Sequence, residues 1–188
     1  MGSTPTFTTA ATTTRKRQRG VSLIEACTVI AITSIVVGTS VPNLQGLIDG
    51  RRLQGAATTL ATDIQLVRTE AVARNQPLRL SVYPSAEGNC YVVHTGAAAQ
   101  CSCSGSGAAL CGGGAEAIKT VHLRAVDRVA LQANVGSLLF DPLHGTSTPA
   151  GTLRLVGQAG REIRHVINVM GRVRSCSPLA AVAGYAAC

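Results

Sequence analysis

The run Arg15-Lys16-Arg17-Gln18-Arg19-Gly20-Val21-Ser22-Leu23-Ile24-Glu25-Ala26-Cys27 opens the part of the chain that decides its architecture. Before Gly20 there are four cations and no acid; beyond it an apolar segment reaches Val41 with Glu25 as its only charge. At about 1.5 Å of rise per residue, residues 21–41 as a helix are just long enough to cross a hydrocarbon core about 30 Å thick. The cations lie only on the N-terminal side, which places that side in the cytoplasm. A secretory signal has a shorter apolar region ending in a small-residue cleavage site, and none stands at the far end of this one. The segment reads as a retained single-pass anchor.

Beyond Val41 the apolar pattern continues. Leu53, Leu60, Ile64, Val67 and Ala71 recur at helical spacing, with Arg51, Arg52, Asp63, Arg68 and Glu70 on other faces. The predicted helix therefore runs from Val21 to about Arg74, kinked at Pro42 and ended by Asn75-Gln76-Pro77. From Leu78 onward the chain reads as short strands. Residues 78–83 alternate cleanly, 90–94 pair with them across a turn at 84–89, and 118–124, 126–133, 137–140, 152–156, 162–170 and 173–176 complete the set. Residues 97–117 are rich in Gly, Ser and Ala and read as an exposed loop. Gln158-Ala159-Gly160 reads as a hairpin turn. One long helix followed by six to eight antiparallel strands is an α+β domain.

Composition narrows the function. The 188 residues fit one globular domain plus an anchor, and with no Trp and 3% aromatics there is no stacking platform for bases. Residues 21–141 carry eight basic and eight acidic side chains, whereas Arg154, Arg161, Arg164, Arg172 and Arg174 face Glu162 alone in residues 142–188. The excess positive charge beyond residue 20 is therefore C-terminal, which points to an anionic partner there. His94, His122, His144 and His165 are scattered, and Gly112-Gly113-Gly114 lacks the lysine and hydroxyl of a phosphate loop. No catalytic constellation or cofactor motif stands out, and the chain does not read as an enzyme.

Cys27 lies in the anchor; Cys90, Cys101, Cys103, Cys111, Cys176 and Cys188 follow it on the oxidising side of the membrane, where disulfides are the default. Cys176 with Cys188 would staple a Gly/Ala-rich tail. Cys90 with one of Cys101, Cys103 or Cys111 would pin the loop. A zinc site built from that cluster and His94 is the alternative, but the spacing is not a recognised pair of ligand knuckles.

Gly20 followed by Val21-Ser22-Leu23-Ile24-Glu25 resembles the processing site of type IV pilins and type II secretion pseudopilins. That resemblance implies a leader, residues 1–20, cut on the cytoplasmic face by a prepilin peptidase, and methylation of the new N-terminus at Val21. Val21 departs from the usual phenylalanine. It also implies that Glu25 pairs with the terminal amine of a neighbouring subunit in a filament, which would offset the cost of an acid in the bilayer, about 2.5–3.5 kcal/mol. An acid at the helix end, lying at the membrane interface, is the plainer account of the same residue. Pilins share the kinked helix as well. The implied layout is the pilin fold, with residues 21–48 as the transmembrane half of the helix and 49–188 as a periplasmic or extracellular domain.

Phe140-Asp141-Pro142 with Gly145-Thr146, Gly151-Thr152-Leu153 and Gly171-Arg172-Val173-Arg174 resembles the GspH/FimT subgroup. In an extended segment Arg172 and Arg174 project to one side about 6.5–7 Å apart, close to the spacing of neighbouring phosphates. Planar guanidinium forks suit phosphate oxygens. In the FimT branch a Gly-Arg-x-Arg motif is associated with DNA binding in natural transformation, and Gly171, Arg172 and Arg174 match it. Arg154, Arg161 and Arg164 would widen the patch if their strands are adjacent. The expectation is a minor type IV pilin that binds double-stranded DNA; the alternative is a structural minor pilin or GspH-like pseudopilin that primes or caps a filament.

Overall fold

The computed structural model describes residues 20–188 except residue 86, without the side chains of residues 39–43 and 85. The expected leader therefore lies outside the described residues apart from Gly20, as does the Pro42 ring. The chain divides into two units between Pro42 and Asn43.

In the first unit the helix α1 (Leu23–Arg74) begins at Ser22, whose Oγ accepts a hydrogen bond from the Glu25 amide at 3.3 Å. A serine followed three residues later by a glutamate is a helix-start signature, and an acid in the first turn favours the positive end of the helix dipole. Thr28, Thr33 and Ser34 turn their hydroxyls back onto carbonyls of the preceding turn. Val21, Ile24, Ile30 and Ile35 are exposed. Among the described residues no helix is long and apolar enough to cross a membrane.

The second unit is built on the remainder of α1. Leu53, Ala57, Leu60, Ile64, Val67 and Ala71 form a buried stripe at helical spacing. The strands that follow are β1 (Leu78–Ser85), β2 (Gly88–Thr95), β3 (Cys101–Cys103), β4 (Ala109–Cys111), β5 (Ala117–Arg124), β6 (Ala130–Ala133), β7 (Ser137–Phe140), β8 (Ser147–Thr148), β9 (Gly151–Val156), β10 (Glu162–Ile167) and β11 (Val173–Cys176). They form a five-stranded sheet in the order β5-β2-β1-β7-β8, a four-stranded sheet in the order β11-β10-β9-β6, and the small hairpin β3-β4. Every strand pairing is antiparallel. The helix stripe, Leu78 and Leu80, Leu138 and Phe140, Leu153 and Leu155, and Ile163 and Ile167 share one core, so α1 packs across both larger sheets.

A polar contact fixes the helix against the five-stranded sheet. Asp63 is buried, accepts from the Tyr91 hydroxyl at 2.7 Å, and pairs with Lys119 Nζ at 2.5 Å. Burial, then the Asp63 carboxylate, push the Tyr91 phenol upward, so it stays protonated and donates. Asp63, off the apolar stripe by its spacing, is nonetheless buried.

The strands differ from expectation where they are shortest or where turns intervene. Residues 97–117 are not one open loop. They hold a 3₁₀ turn at Ala98–Gln100 and the β3-β4 hairpin, fastened by the disulfides Cys90–Cys103 and Cys101–Cys111. The cysteine cluster is consumed by disulfides, which leaves no thiolates for zinc. The expected strand at 126–133 begins only at Ala130, because Ala125–Asp127 forms a 3₁₀ turn capped by Arg128 in the left-handed region. The strand expected at 162–170 stops at Ile167. Cys176 and Cys188 are bonded, and the tail between them folds back so that Val182 enters the core.

Candidate nucleic-acid interface at the β10-β11 hairpin

Two hydrogen bonds shape the turn that presents Arg172. The Gly171 amide donates to the Asn168 carbonyl at 2.9 Å, and the Asn168 amide donates to the Arg172 carbonyl at 3.2 Å. A turn closed in this way needs a residue with positive φ at its end, and Gly171 sits at φ 69°. The Asn168 side chain completes the turn, accepting from the Arg172 amide at 3.0 Å. Gly171 has a second reason to lack a side chain: a Cβ there would collide with the Gly145 carbonyl oxygen. In the sequence Gly171 reads as part of the Gly-Arg-x-Arg match. Its requirement is instead internal to the fold.

Beyond the turn, β11 alternates. Val173 packs on the core and Ser175 meets His165, while Arg172 and Arg174 are exposed on the opposite face. Arg174 lies opposite Val166 in register. Among the described residues neither guanidinium has an ion-pair or hydrogen-bond partner. The tip ahead of them is apolar, with Val169 and Met170 both exposed.

Arg154 and Arg164 stand directly opposite each other across β9 and β10, on the face that also carries Arg174. Their charge is already committed. Glu162 accepts from Arg154 through both carboxylate oxygens, at 2.6 and 2.9 Å, and from Arg164 Nε at 2.5 Å. The Arg154 hydrogen bond, aided by Arg164, holds the Glu162 carboxyl down at about 2, against the opposing effect of partial burial. Three residues that sequence counts as two cations and one acid thus form a local triad. Arg161 does not join the patch at all. It lies at the β9-β10 turn, the other end of β10, where its Nη2 donates to the Gly46 carbonyl at 3.1 Å. With a rise of about 3.3 Å per residue, the length of β10 puts roughly 20 Å between Arg161 and Arg172.

The segments that carry the family resemblance meet at this end. Arg68 of α1 donates from Nε to the Gly145 carbonyl at 3.0 Å, and the Ser147 amide donates to the Val169 carbonyl at 2.9 Å. Asp141 organises the intervening turn by accepting the amides of Leu143 and His144. Those amides and the His144 ring hold its carboxyl below the usual range. Arg68 does not stand out in the sequence, because one arginine on a helix carries no sign of a carbonyl 77 residues away.

The histidines do no chemistry together. His94 is buried between the Ser81 hydroxyl and the Thr95 carbonyl; it donates to the latter from Nδ1, and burial lowers its pKa. His165 is fully buried against Ser175, and burial takes its pKa down to about 4. His122 packs beside Gly107 and His144 sits exposed at the Asp141 turn. Gly20 and Val21, the expected processing site, are both exposed.

The arrangement is an α+β domain, a long helix laid across antiparallel sheets with an arginine-bearing hairpin at one end. The family model described as Type II transport protein GspH matches residues 56–171, and the chain belongs to that family. The match ends at Gly171, one residue before Arg172. Over 75 residues the chain is 36% identical to the type II secretion system protein H of Xanthomonas campestris pv. campestris; the similarity spans 40% of this chain and 44% of that relative. Two crystal forms of the type IV minor pilin FimU of Pseudomonas aeruginosa are similar at 18% and 19% identity, with TM-scores of 0.48 and 0.46. They cover 67% and 66% of this chain and 92% and 96% of theirs.

Proposed function

We propose that this chain is a pilin-like filament subunit that binds the backbone of double-stranded DNA through Arg172 and Arg174 and serves, as a minor type IV pilin, in uptake during natural transformation. Residues 1–20 are the leader, removed by a prepilin peptidase after Gly20, and Val21 is then methylated. Residues 21–48 hold the precursor in the inner membrane, and Glu25 contributes to packing against other pilins in a filament at the periplasm or cell surface.

The observation that carries the DNA reading is the contrast among the arginines. Arg154 and Arg164 share the one carboxylate of Glu162, whereas Arg172 and Arg174 are exposed, alternate on one face and lack a partner among the described residues. Unpaired guanidinium groups are free to exchange water and counterions for phosphate oxygens. With so few contacts, binding is sequence-independent and weak per subunit, Kd on the order of 10⁻⁴–10⁻⁶ M, and repetition along a filament raises the avidity. Anisotropy titration of a labelled duplex with the chain and with its Arg172→Gln/Arg174→Gln variant tests the reading; equal affinities would retire it.

The family itself supports a second reading: a structural pseudopilin or minor pilin that primes or caps a filament, with the two arginines in subunit contacts. The Xanthomonas relative, a type II secretion protein, favours it. Deleting the gene separates the readings, since lost secretion with intact DNA uptake supports the second and the reverse supports the first.

A further inference from the structure

The end of the second unit opposite Arg172 carries its own cationic surface. Two clefts flank the early turns of α1 in this unit. One, of about 530 Å³, is lined by Leu47, Arg51, Gln54 and Arg161 and by the tail residues Ala181 and Gly184. The other, of about 410 Å³, is lined by Gln45, Ile48, Arg52, Val126 and Arg128.

Long-range contacts build this surface. Arg161 reaches across the first cleft to the Gly46 carbonyl, over the space that Gly50 leaves open, and Gln54 Nε2 donates to the Ala183 carbonyl at 3.0 Å. Gln158 Nε2 donates to the Arg128 carbonyl at 3.4 Å, which joins the β5-β6 connection to the β9-β10 turn. Asp49 is the acid set among these arginines, at 4.0 Å from Arg52 and 3.9 Å from Arg128. Arg51 has no ion pair among the described residues. Arg52 and Arg128 share Asp49, with Asp127 also near Arg52, while Arg51 and Arg161 line the other cleft. Between them Leu44, Leu47, Ile48 and Val126 are exposed.

We propose that this surface is a membrane-interface patch that takes the phosphate headgroups of anionic lipids. Arginines interleaved with exposed aliphatic side chains are the composition of a helix lying at a lipid interface. Leu44 follows Val41 by three residues and Arg51 follows it by ten, about 5 and 15 Å of helical rise. That reach spans the headgroup layer and about one Debye length beyond it. Guanidinium groups held there are attracted to an anionic leaflet. Arg161, counted with the DNA-binding arginines from sequence, belongs to this patch by position. The inference rests on the anchor reading only for which end of the domain faces the bilayer.

Flotation of the full chain with neutral phosphatidylcholine vesicles and with vesicles containing 30% phosphatidylglycerol tests it, together with amide hydrogen exchange over residues 43–54 and 158–164 in the floated samples. The expected result is slower exchange in both segments with anionic vesicles, reversed in 0.5 M salt. Arg51→Gln/Arg161→Gln should reduce the effect roughly thirtyfold, while Arg172→Gln/Arg174→Gln, which removes the same charge at the other end, should leave it intact. Flotation with both compositions and identical exchange overturns the patch and leaves the anchor standing. Failure to float with neutral vesicles overturns the anchor. The anionic vesicles then decide the patch alone: flotation that depends on Arg51 and Arg161 supports it, and no flotation overturns it.

Discussion

Gly171 lies with its Cα against the carbonyl oxygen of Gly145, the same oxygen that accepts the Arg68 guanidinium. The hairpin carrying Arg172 and Arg174 is thereby locked to the turn after β7 and to α1, so the two arginines stand on a rigid mount rather than on a loose loop.

Replacing Gly171 by alanine forces a side chain into the left-handed region, worth about 1–2 kcal/mol, and drives a Cβ into the Gly145 oxygen. The expected loss is about 2–4 kcal/mol in urea unfolding. A change below about 0.5 kcal/mol, the ordinary range for a surface site, would show that the junction is not tight.

Asp63 joins α1 to β2 and β5 through Tyr91 and Lys119. Asp63→Ala leaves a buried phenol without its acceptor and removes the partner of a half-exposed ammonium. The expected cost is about 2–4 kcal/mol. Tyr91→Phe should cost less, about 1 kcal/mol, because it removes the donor and keeps the ion pair. If the tyrosine variant proves the more damaging, packing rather than the carboxylate holds this contact.

Acid should weaken the fold in two stages. His165 is held neutral at about 4, below its ordinary 6.5, so the unfolded chain takes up the proton first and stability falls from pH 6.5 toward 4. Glu162 is held ionised down to about 2, so its contribution is complete above its ordinary 4.5 and is lost as pH falls toward 2. His165→Gln should flatten the upper stage and leave the lower one. An unchanged slope between pH 6.5 and 4 in that variant would remove His165 from the account.

The Cys176–Cys188 disulfide closes a short loop whose residues Val182 and Tyr185 pack on the core. Cys176→Ser/Cys188→Ser should lower stability by about 3 kcal/mol on the loop-closure model and raise amide exchange over residues 177–187. Peptide mapping without reductant should recover the two cysteines linked; two free thiols would contradict the fold of the tail.

The helix stripe from Leu53 to Ala71 and the alternation of 78–83 are legible in sequence, because both are local patterns with one face buried. The strands β3, β4 and β8 are not, since two or three residues give no period and the first two depend on disulfide pairing. The burial of Asp63 is not legible either, because its partners lie 28 and 56 residues away. The same limit governs the arginines. Charge counting groups Arg154, Arg161, Arg164, Arg172 and Arg174 together, and strand register separates them: two onto Glu162, one onto Gly46 beside Arg51, and two left exposed.

Those last two carry the central claim, and the salt dependence of DNA affinity tests it most directly. Each phosphate contact contributes about 0.9 to the slope of log K against log salt, so Arg172→Gln/Arg174→Gln should reduce the slope by roughly 2 and weaken binding to all duplex sequences alike. Arg154→Gln, at an arginine already paired with Glu162, should change the slope far less. An unchanged slope in the double variant would contradict the claim.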